Sequence, residues 1–364
     1  MYYYRIAEIT LQSEYKLECF ANFACEPTEA DMVLEGTDEI APSGNDLCSG
    51  TIVHRKLDNG WYFYPRMYEQ TGLFISRDYS RLKIRGIEEN GIIRGTAEWF
   101  VRIAIECMLA RRGYVSLHSA SVEVNGEAYA FTAPSGTGKS TRAQAWIDAL
   151  NAKLINGDRP LIDVRNMELY GVPWDGKEQC FRNVHYPLKA ICEVRRHEPL
   201  VYVRKMNLAQ RRKILMQQSF IPMWDTETAA IQIANINKLA AKANLVRIFC
   251  GPTTEDAMAL YSVIQQQEYL EEEKDMKANP GFILRNVVDE YILMPTGDNI
   301  GKFNGTVLLN EVSALVWEKL QNPISREDLL KAILDEFEVE KAVAAADLDA
   351  LLAKLKEYGV ISED

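Results

Sequence analysis

Residues 128–141 of this 364-residue chain combine an apolar run with a short loop of small and polar residues that ends in lysine. The stretch reads Ala-Tyr-Ala-Phe-Thr-Ala-Pro-Ser-Gly-Thr-Gly-Lys-Ser-Thr. Residues 133–140 follow the pattern G-x-x-x-x-G-K-[ST], except that Ala133 replaces the first glycine, and loops of this pattern curl their backbone N–H groups round a polyphosphate. The sequence therefore predicts a phosphate-binding loop. The alternative is a Gly/Ser turn that happens to carry a lysine.

Each residue type in this loop has a physical reason to contact phosphate. Glycine lets the backbone approach a ligand without a Cβ clash, lysine supplies a positive charge, and the hydroxyl after it can hold a magnesium ion. Ala133 cannot take a positive φ cheaply, so we expect a less sharply turned start to the loop. The residues predicted to bind the nucleotide are Ser135, Gly136, Thr137, Gly138, Lys139, Ser140 and Thr141.

A hairpin is predicted to position the loop. Residues 114–124 have the pattern of a strand, Asn125-Gly126 is a dipeptide favoured in two-residue hairpin turns, and residues 128–132 form the returning strand. A helical run, 142–150, follows the loop. His118 lies on the first strand and is a candidate catalytic residue. The alternative is an ordinary half-buried histidine with satisfied hydrogen bonds.

Two further groups of charged residues are candidates for chemistry. Residues 152–155 form a short apolar strand pattern, and Asp158 follows it, where a carboxylate could meet a loop-bound magnesium ion. The alternative for Asp158 is a simple turn residue in Asn-Gly-Asp-Arg-Pro. The segment 171–178 adds Asp175, Lys177 and Glu178, a set that suits a phosphoryl acceptor site, although Asp-Gly is also an ordinary turn.

These features together resemble the catalytic domains of bacterial HPr kinase/phosphorylase. The resemblance rests on His118, the paired strands, the loop Pro-Ser-Gly-Thr-Gly-Lys-Ser-Thr and the later Leu-Ile-Asn-Gly-Asp of residues 154–158, and it covers about residues 100–265. It is strongest to the related serine kinases of gene clusters for ribosomally made, modified peptides. It implies an α/β P-loop core with a mixed sheet, shared with ATP-dependent phosphoenolpyruvate carboxykinases.

The resemblance also implies roles for individual residues. ATP and Mg²⁺ are the expected cofactors, with Ser140 and Asp158 on the metal and His118 close to the phosphate. In the family an Asp pair ends the strand after the loop helix, and its first member is the general base. Gly157 stands at that place here, which leaves the acid–base carboxylate open among Asp158, Asp175 and Glu178.

Composition restricts the class of protein. The net charge is −11, which argues against a nucleic-acid-binding surface. Seven scattered cysteines show no paired metal spacing and suit a reducing compartment. No apolar run approaches the ~18 residues of a membrane helix, and the start has no signal-peptide core. We therefore expect a cytoplasmic protein that contacts neither membrane nor nucleic acid.

The predicted domain organisation has four parts: a mostly β region (1–98), the kinase-like core (99–266), a linker (267–280) and a C-terminal domain (281–364). In the first part, residues 61–64 and 73–75 have strand patterns, residues 26–49 have the pattern of a loop, and His54 is explained by packing. Helices are expected at 96–110, 207–217 and 226–243, and a last core strand at 245–250. Basic runs at 195–197 and 211–213 could face phosphate or an acidic peptide, or simply be solvated surface.

The C-terminal part has the pattern of a small α+β domain. Strand patterns cover 282–285, 291–294 and 307–310, and helical patterns cover 311–320, 326–337 and 342–358. Ser325 is a plausible N-cap and Gly359 a plausible C-terminal glycine. Trp317, Phe337 and Leu352 are expected in the core.

This part resembles the winged-helix PqqD-like domain, the leader-recognition element of peptide-modification pathways. The resemblance rests on Leu-Leu-Asn at 308–310, Ser-Ala at 313–314, Trp317, the two helices and the closing Tyr-Gly-Val-Ile of 358–361. It implies that residues 281–364 bind the leader of a precursor peptide by strand addition to an open sheet edge. Sixteen acidic and eight basic residues give this part a charge of −8, which disfavours DNA.

The sequence thus predicts a Ser/Thr phosphotransferase for a leader-bearing precursor peptide. Two alternatives stay open: a nucleotide-binding adaptor without catalysis, which Gly157 favours, and a small-molecule kinase with an appended regulatory domain. Other peptide-modifying enzymes and a second copy of the chain are further partners that the sequence leaves open.

Overall fold

The computed structural model divides the chain into two compact units, residues 1–270 and 271–364. The structure describes residues 1–39, 46–49, 52–66, 71–86, 88–89, 92–93, 96–174, 176, 179–196, 201–271, 275–287, 290–300 and 307–363. Twenty acidic and ten basic residues give the second unit a net charge of −10, so the first unit is nearly neutral. The finer division at residues 98, 266 and 280 stays a prediction.

The N-terminal part of the first unit is an eight-stranded mixed sheet with a small three-stranded sheet beside it. The large sheet has the order β1-β2-β4-β9-β8-β7-β6-β5, and the small one the order β10-β11-β3. The strands are β1 (Tyr2–Ile6), β2 (Ile9–Ser13), β3 (Lys16–Leu17), β4 (Met32–Gly36), β5 (Asp46–Ser49), β6 (Ile52–Leu57), β7 (Gly60–Pro65), β8 (Gly72–Ser76), β9 (Arg81–Arg85), β10 (Glu88–Glu89) and β11 (Ile92–Ile93).

The predicted loop at 26–49 is wrong. Strand β4 lies inside it and pairs in parallel with β2 on one side and β9 on the other. Met32 and Leu34 are fully buried, so their alternate spacing is a strand signal that the surrounding acidic residues and glycines hide. His54 stacks on Phe63, as its prediction as a packing residue requires.

The second part of the first unit is a nine-stranded mixed sheet with helices on both faces. Its helices are α1 (Thr96–Arg111), α2 (Lys139–Leu150), α3 (Leu208–Gln218), α4 (Thr226–Lys242) and α5 (Thr254–Gln266). Its strands are β12 (Tyr114–Ser116), β13 (Ser119–Val124), β14 (Glu127–Thr132), β15 (Lys153–Asn156), β16 (Leu161–Asp163), β17 (Glu168–Tyr170), β18 (His185–Arg196), β19 (Tyr202–Lys205) and β20 (Leu245–Cys250).

The strand before the glycine-rich loop (residues 133–140) is central in this sheet. The order is β12-β16-β17-β18-β14-β13-β15, with β20 paired to β18 and β19 to β20. Strand β14 is antiparallel to β13 and parallel to β18. Asn125 and Gly126 both have positive φ, 52° and 82°, as a primed two-residue hairpin turn requires. The predicted hairpin is therefore confirmed.

Side chains of β14 alternate between two cores. Ala128 and Ala130 pack with α3 and α4 on one face, whereas Tyr129 and Phe131 pack with α2 and α5 on the other. Trp146 of α2 lies against both aromatic rings of that second face. The helix after the loop is therefore fixed by apolar packing, which fixes the position of the loop itself.

The predicted single strand 114–124 is in fact two strands. Strand β12 pairs with β16, β13 pairs with β14 and β15, and Leu117 and His118 lie between them. The strand breaks there because Leu117 and His118 pair with residues at the end of α3. The N–H of His118 donates to the carbonyl of Gln218 at the end of α3 (2.8 Å), and Leu117 forms a bridge with Ser219.

The second unit is α+β. Its strands are β21 (Met276–Ala278), β22 (Phe282–Val287), β23 (Glu290–Pro295), β24 (Val307–Leu309) and β25 (Ile361–Glu363), and its helices are α6 (Glu311–Lys319), α7 (Arg326–Glu336) and α8 (Lys341–Glu357). Strands β22, β23 and β24 form an antiparallel sheet, and β21 pairs with β25. Strand β21 lies within the segment that the sequence indicates as a linker.

Local signals set the helix ends in this unit. The Ser325 hydroxyl accepts the N–H of Asp328 (3.1 Å), so the predicted N-cap is confirmed. Gly359 has φ 66°, and the next N–H, of Val360, returns to the carbonyl of Leu355 (2.9 Å), which is the pattern of a glycine-closed helix. Trp317 and Leu352 are buried in the core of the unit, and Phe337 packs against it partly buried.

Candidate functional site

The glycine-rich loop presents the first turn of α2 to solvent. Gly136 and Gly138 have φ 79° and 101°, a region that residues with a Cβ rarely adopt. Gly138 is the N-cap and supplies no side chain to the first N–H groups of α2. A Cβ at Gly136 would contact nothing within 4 Å, so the space beside it is open. This is the geometry of an anion site at a helix N-terminus.

Lys139 is held in place without a carboxylate partner at salt-bridge distance in the described residues. Its Nζ donates to the carbonyls of Ala133 (3.0 Å) and Pro134 (3.4 Å), so the lysine lies back along the loop. Burial lowers the pKa of Lys139, Asp158 opposes that shift, and Arg159 adds to it. A charged lysine with only carbonyl partners favours an anion beside it.

The outward side chains of the loop fit a magnesium-bound polyphosphate. Ser135, Ser140 and Thr141 are exposed, while the Thr137 hydroxyl donates to the carbonyl of Pro134 (2.9 Å). In the described ranges no group of three or more His, Cys, Asp or Glu could hold a metal ion. Magnesium needs no such group, because it binds through one or two protein oxygens together with phosphate and water. Ser140 and Asp158 stay the predicted magnesium residues.

His118 and Asp158 are brought together across the break between β12 and β13. The imidazole Nε2 lies 3.6 Å from a carboxylate oxygen of Asp158, and the Nδ1 lies 3.2 Å from the amide oxygen of Gln218. Burial lowers the pKa of His118; the charges of Lys139 and Arg159 lower it further, whereas Asp158 and Gln218 oppose the shift. The imidazole is therefore neutral at pH 7 and can accept a proton.

The buried side chain of Asn156 fixes the turn that carries Asp158. Its amide oxygen accepts the N–H groups of Asp158 (3.0 Å) and Arg159 (2.7 Å), and its amide nitrogen donates to the carbonyl of Trp174 (2.8 Å). The Trp174 indole donates in turn to the carbonyl of Arg159 (3.1 Å). The turn prediction and the functional prediction for Asp158 are thus compatible, since the turn is what positions the carboxylate.

A cavity of about 220 Å³ adjoins the first two turns of α2. It is lined by Ala120, Ser140, Ala143, Gln144, Ile147, Leu154 and Gly157. Most of this lining is apolar, and Gly157 contributes no side chain to it. The cavity therefore lies beside the predicted metal residue Ser140 and next to the turn that carries Asp158.

Three predicted site residues, Asp175, Lys177 and Glu178, lie outside the described residues. Trp174, just before them, is buried. The basic runs have local partners: Arg195 forms an ion pair with Glu193 (3.1 Å), and Arg211 donates to the carbonyl of Met206 (2.9 Å).

Sequence reasoning missed two residues of this site. Gln218 comes from α3, 100 residues after His118, and its sequence context has no motif. The sequence indicates Arg159 only as a turn residue. In the structure its charge lowers the pKa of both His118 and Lys139.

The second unit contains the other candidate site, an open sheet. Strand β23 is central, so β22 and β24 each have one unpaired side within the described residues. Leu308 on β24 is 65% exposed and Val287 on β22 is 50% exposed. Exposed edges of this kind can accept an added peptide strand.

Comparison with known proteins gives a family match within the second unit. Residues 290–361 match the family model of the coenzyme PQQ synthesis protein D, PqqD. A PqqD-like domain therefore forms the C-terminal part of the chain. No curated protein matches the chain significantly.

Two solved structures resemble part of the chain. TbiB1 in complex with the TbiA(beta) leader peptide is 20% identical, with a TM-score of 0.21, over 24% of this chain and 94% of its own. Lasso peptide synthetase B1 complexed with the leader peptide is 24% identical, with a TM-score of 0.21, over 24% of this chain and 98% of its own. The described residues contain no helix long and apolar enough to cross a membrane.

Proposed function

We propose that the chain is an ATP- and Mg²⁺-dependent kinase that phosphorylates a Ser or Thr hydroxyl of a ribosomally made precursor peptide, recognised through its leader. The observation that carries the kinase half is the glycine-rich loop. Its two glycines have positive φ, the first turn of α2 has no side-chain cap, and Lys139 lies at its base. These features suit the β- and γ-phosphates of a nucleotide.

The acceptor chemistry is assigned to His118 and Asp158. Phosphoryl transfer needs the acceptor hydroxyl to be oriented and its proton to be taken up. His118 is neutral at pH 7 and lies 3.6 Å from Asp158, so the pair can accept that proton and hold the resulting charge. A magnesium ion held by Ser140 and Asp158 would offset the charge on the phosphate oxygens. The cavity beside Ser140 and Gly157 gives the acceptor side chain a place to enter.

The peptide half rests on the PqqD family match and on the unpaired edges of the β22–β24 sheet. A leader strand can add to one of these edges through main-chain hydrogen bonds, while its side chains contact the apolar surface beside the sheet. The net charge of −10 on the second unit favours leaders with basic residues.

Gly157 supports a second candidate, an adaptor that binds nucleotide and peptide without transferring phosphate. In the kinases that the core resembles, an aspartate stands at this position and acts as the general base. If Asp158 and His118 do not replace it, the chain presents the peptide to another enzyme.

One experiment separates the two candidates. The full-length protein is incubated with ATP, magnesium and a precursor peptide encoded nearby, and the peptide mass is measured. The kinase proposal expects a gain of one phosphate that requires both ATP and magnesium, and that Asp158→Asn suppresses. Asp148→Asn, an exposed carboxylate of α2, is the matched control and keeps activity. Bound peptide and nucleotide without transfer would favour the adaptor.

A further inference from the structure

Arg159 lies opposite His118 in the short antiparallel stretch that links the pairing of β12 with β16 to that of β13 with β15. The N–H groups on either side of His118 donate to the carbonyls on either side of Arg159, at 3.2 and 2.8 Å. The same register continues from the pairing of β12 with β16 into that of β13 with β15. Directly opposed residues of an antiparallel pair lie on one face, with their Cβ atoms about 5 Å apart. Arg159 therefore belongs to the face that carries His118.

The guanidinium of Arg159 is partly buried and has no acceptor among the described residues. Its hydrogen bonds in the described part of the chain use only the backbone N–H and carbonyl. The nearby carboxylate of Glu106 already accepts from the Ser116 hydroxyl (2.5 Å) and the Arg102 guanidinium (3.2 Å). The five donors of this arginine are therefore free of side-chain partners in the described part of the chain and are available to an anion.

The charges round Arg159 favour an anion as well. Lys139 and Arg159 each contribute one positive charge, His118 is neutral at pH 7, and Asp158 is the carboxylate that acts on all three groups. A magnesium ion at Ser140 and Asp158 would make the region more positive still. An arginine fork suits phosphate better than a lysine does, because it can donate two parallel hydrogen bonds.

We propose that Arg159 binds the terminal phosphoryl group of the nucleotide, from the side of the site opposite the backbone cradle of the glycine-rich loop. The inference rests on the proposed nucleotide function. It gives Arg159 a role that its position in an ordinary turn sequence does not indicate. It also assigns a role to the contacts of Asn156 and Trp174, because these residues bond the N–H and the carbonyl of Arg159 and so position its backbone.

The competing role for Arg159 is purely structural, as a positive charge near Glu106. The two roles differ in which nucleotide they affect. A residue on the terminal phosphate contributes to ATP binding and not to ADP binding, whereas a structural residue affects both equally through the shape of the site.

The test is calorimetric titration of the full-length protein with MgATP and with MgADP, together with thermal unfolding. We expect Arg159→Gln to weaken MgATP binding by about 10- to 100-fold, the loss typical of one or two charge-assisted hydrogen bonds, and to leave MgADP binding within about twofold. Arg165→Gln is the matched control, because that arginine is already paired with Asp163 (2.9 Å) and Glu8 (3.1 Å). It should change neither affinity.

A second variant keeps the test decisive if Arg159→Gln unfolds. Arg159→Lys retains the charge near Glu106 but loses the fork, so it should fold normally and still weaken MgATP selectively. Equal losses for both nucleotides, or no loss for either, would overturn the role of Arg159 while leaving the nucleotide site intact. A wild-type protein that binds neither nucleotide would overturn the nucleotide site itself, and this inference with it.

Discussion

The Nε2 of His118 lies 3.6 Å from a carboxylate oxygen of Asp158, although the two residues are 40 positions apart, His118 between β12 and β13 and Asp158 in the turn after β15. The pair exists because the N–H of Ser119 donates to the carbonyl of Asp158 (2.8 Å), which joins the start of β13 to the turn after β15. This contact joins the proposed proton acceptor to the proposed metal-binding carboxylate, close enough to Lys139 for the charges to act on one another.

The pH dependence of phosphoryl transfer should report this pair. Burial and the neighbouring cations lower the pKa of His118 below its ordinary 6.5, so the neutral form is present at pH 7. Transfer that needs neutral His118 should be constant above pH 7 and should fall only as the pH drops through the lowered pKa. Rates measured from pH 4.5 to 8.5 test this. An acid limb centred at or above pH 6.5 would contradict it, and His118→Asn should remove the limb.

Removing the charge of Lys139 should weaken nucleotide binding. Lys139→Ala leaves the backbone cradle intact but loses the charge-assisted contact to phosphate, so we expect MgATP affinity to fall by about 10- to 100-fold. Calorimetry measures the change. Lys153→Ala, an exposed lysine at the start of β15, is the control. Equal affinity for the Lys139 variant and the wild type would remove the nucleotide-binding proposal.

Asn156 should matter for stability as well as for activity. Asn156→Ala leaves the N–H groups of Asp158 and Arg159 and the carbonyl of Trp174 without their present partner. We expect the free energy of unfolding to fall by about 3 kcal/mol, as for unsatisfied buried polar groups. Urea unfolding checks this. Asn237→Ala on α4, a half-buried asparagine, should change stability by less than about 0.5 kcal/mol.

The second unit should be more stable as an isolated fragment when that fragment begins before β21. Met276 is 3% exposed, and its N–H and carbonyl both bond to Ile324. A fragment of residues 271–364 should unfold cooperatively. A fragment of 281–364 loses the buried Met276 and strand β21, and we expect it to be less stable by about 3 kcal/mol. Equal urea midpoints for the two fragments would contradict this.

Leader binding by strand addition makes a separate prediction for the 271–364 fragment. The fragment should bind a leader peptide without ATP, and a proline within the paired segment should weaken binding by about tenfold or more, because it removes a backbone donor. A proline outside that segment is the control. Fluorescence titration measures both. If the second unit serves only to stabilise or dimerise the kinase, no leader binds the isolated fragment.

Local sequence signals determined much of this protein. The hairpin turn at Asn125-Gly126, the glycine-rich loop, the strand 245–250 and the caps at Ser325 and Gly359 all depend on residues within a few positions of one another. Backbone φ preferences and side-chain capping act over that range, so they can be predicted from sequence. The match to PqqD agrees with the apolar spacing of the last three helices.

Only the tertiary structure decided the features that depend on distant partners. Strand β4 becomes a strand because β2 and β9 pair with it in parallel, and the run 114–124 breaks because the end of α3 holds His118. Gln218 reaches His118 from 100 residues away, and two backbone hydrogen bonds, from Leu117 to Pro160 and from Ser119 to Asp158, place Arg159 opposite it. Pairing and register between remote segments depend on how the whole core packs. The local sequence of a strand therefore does not show which other strand it will pair with.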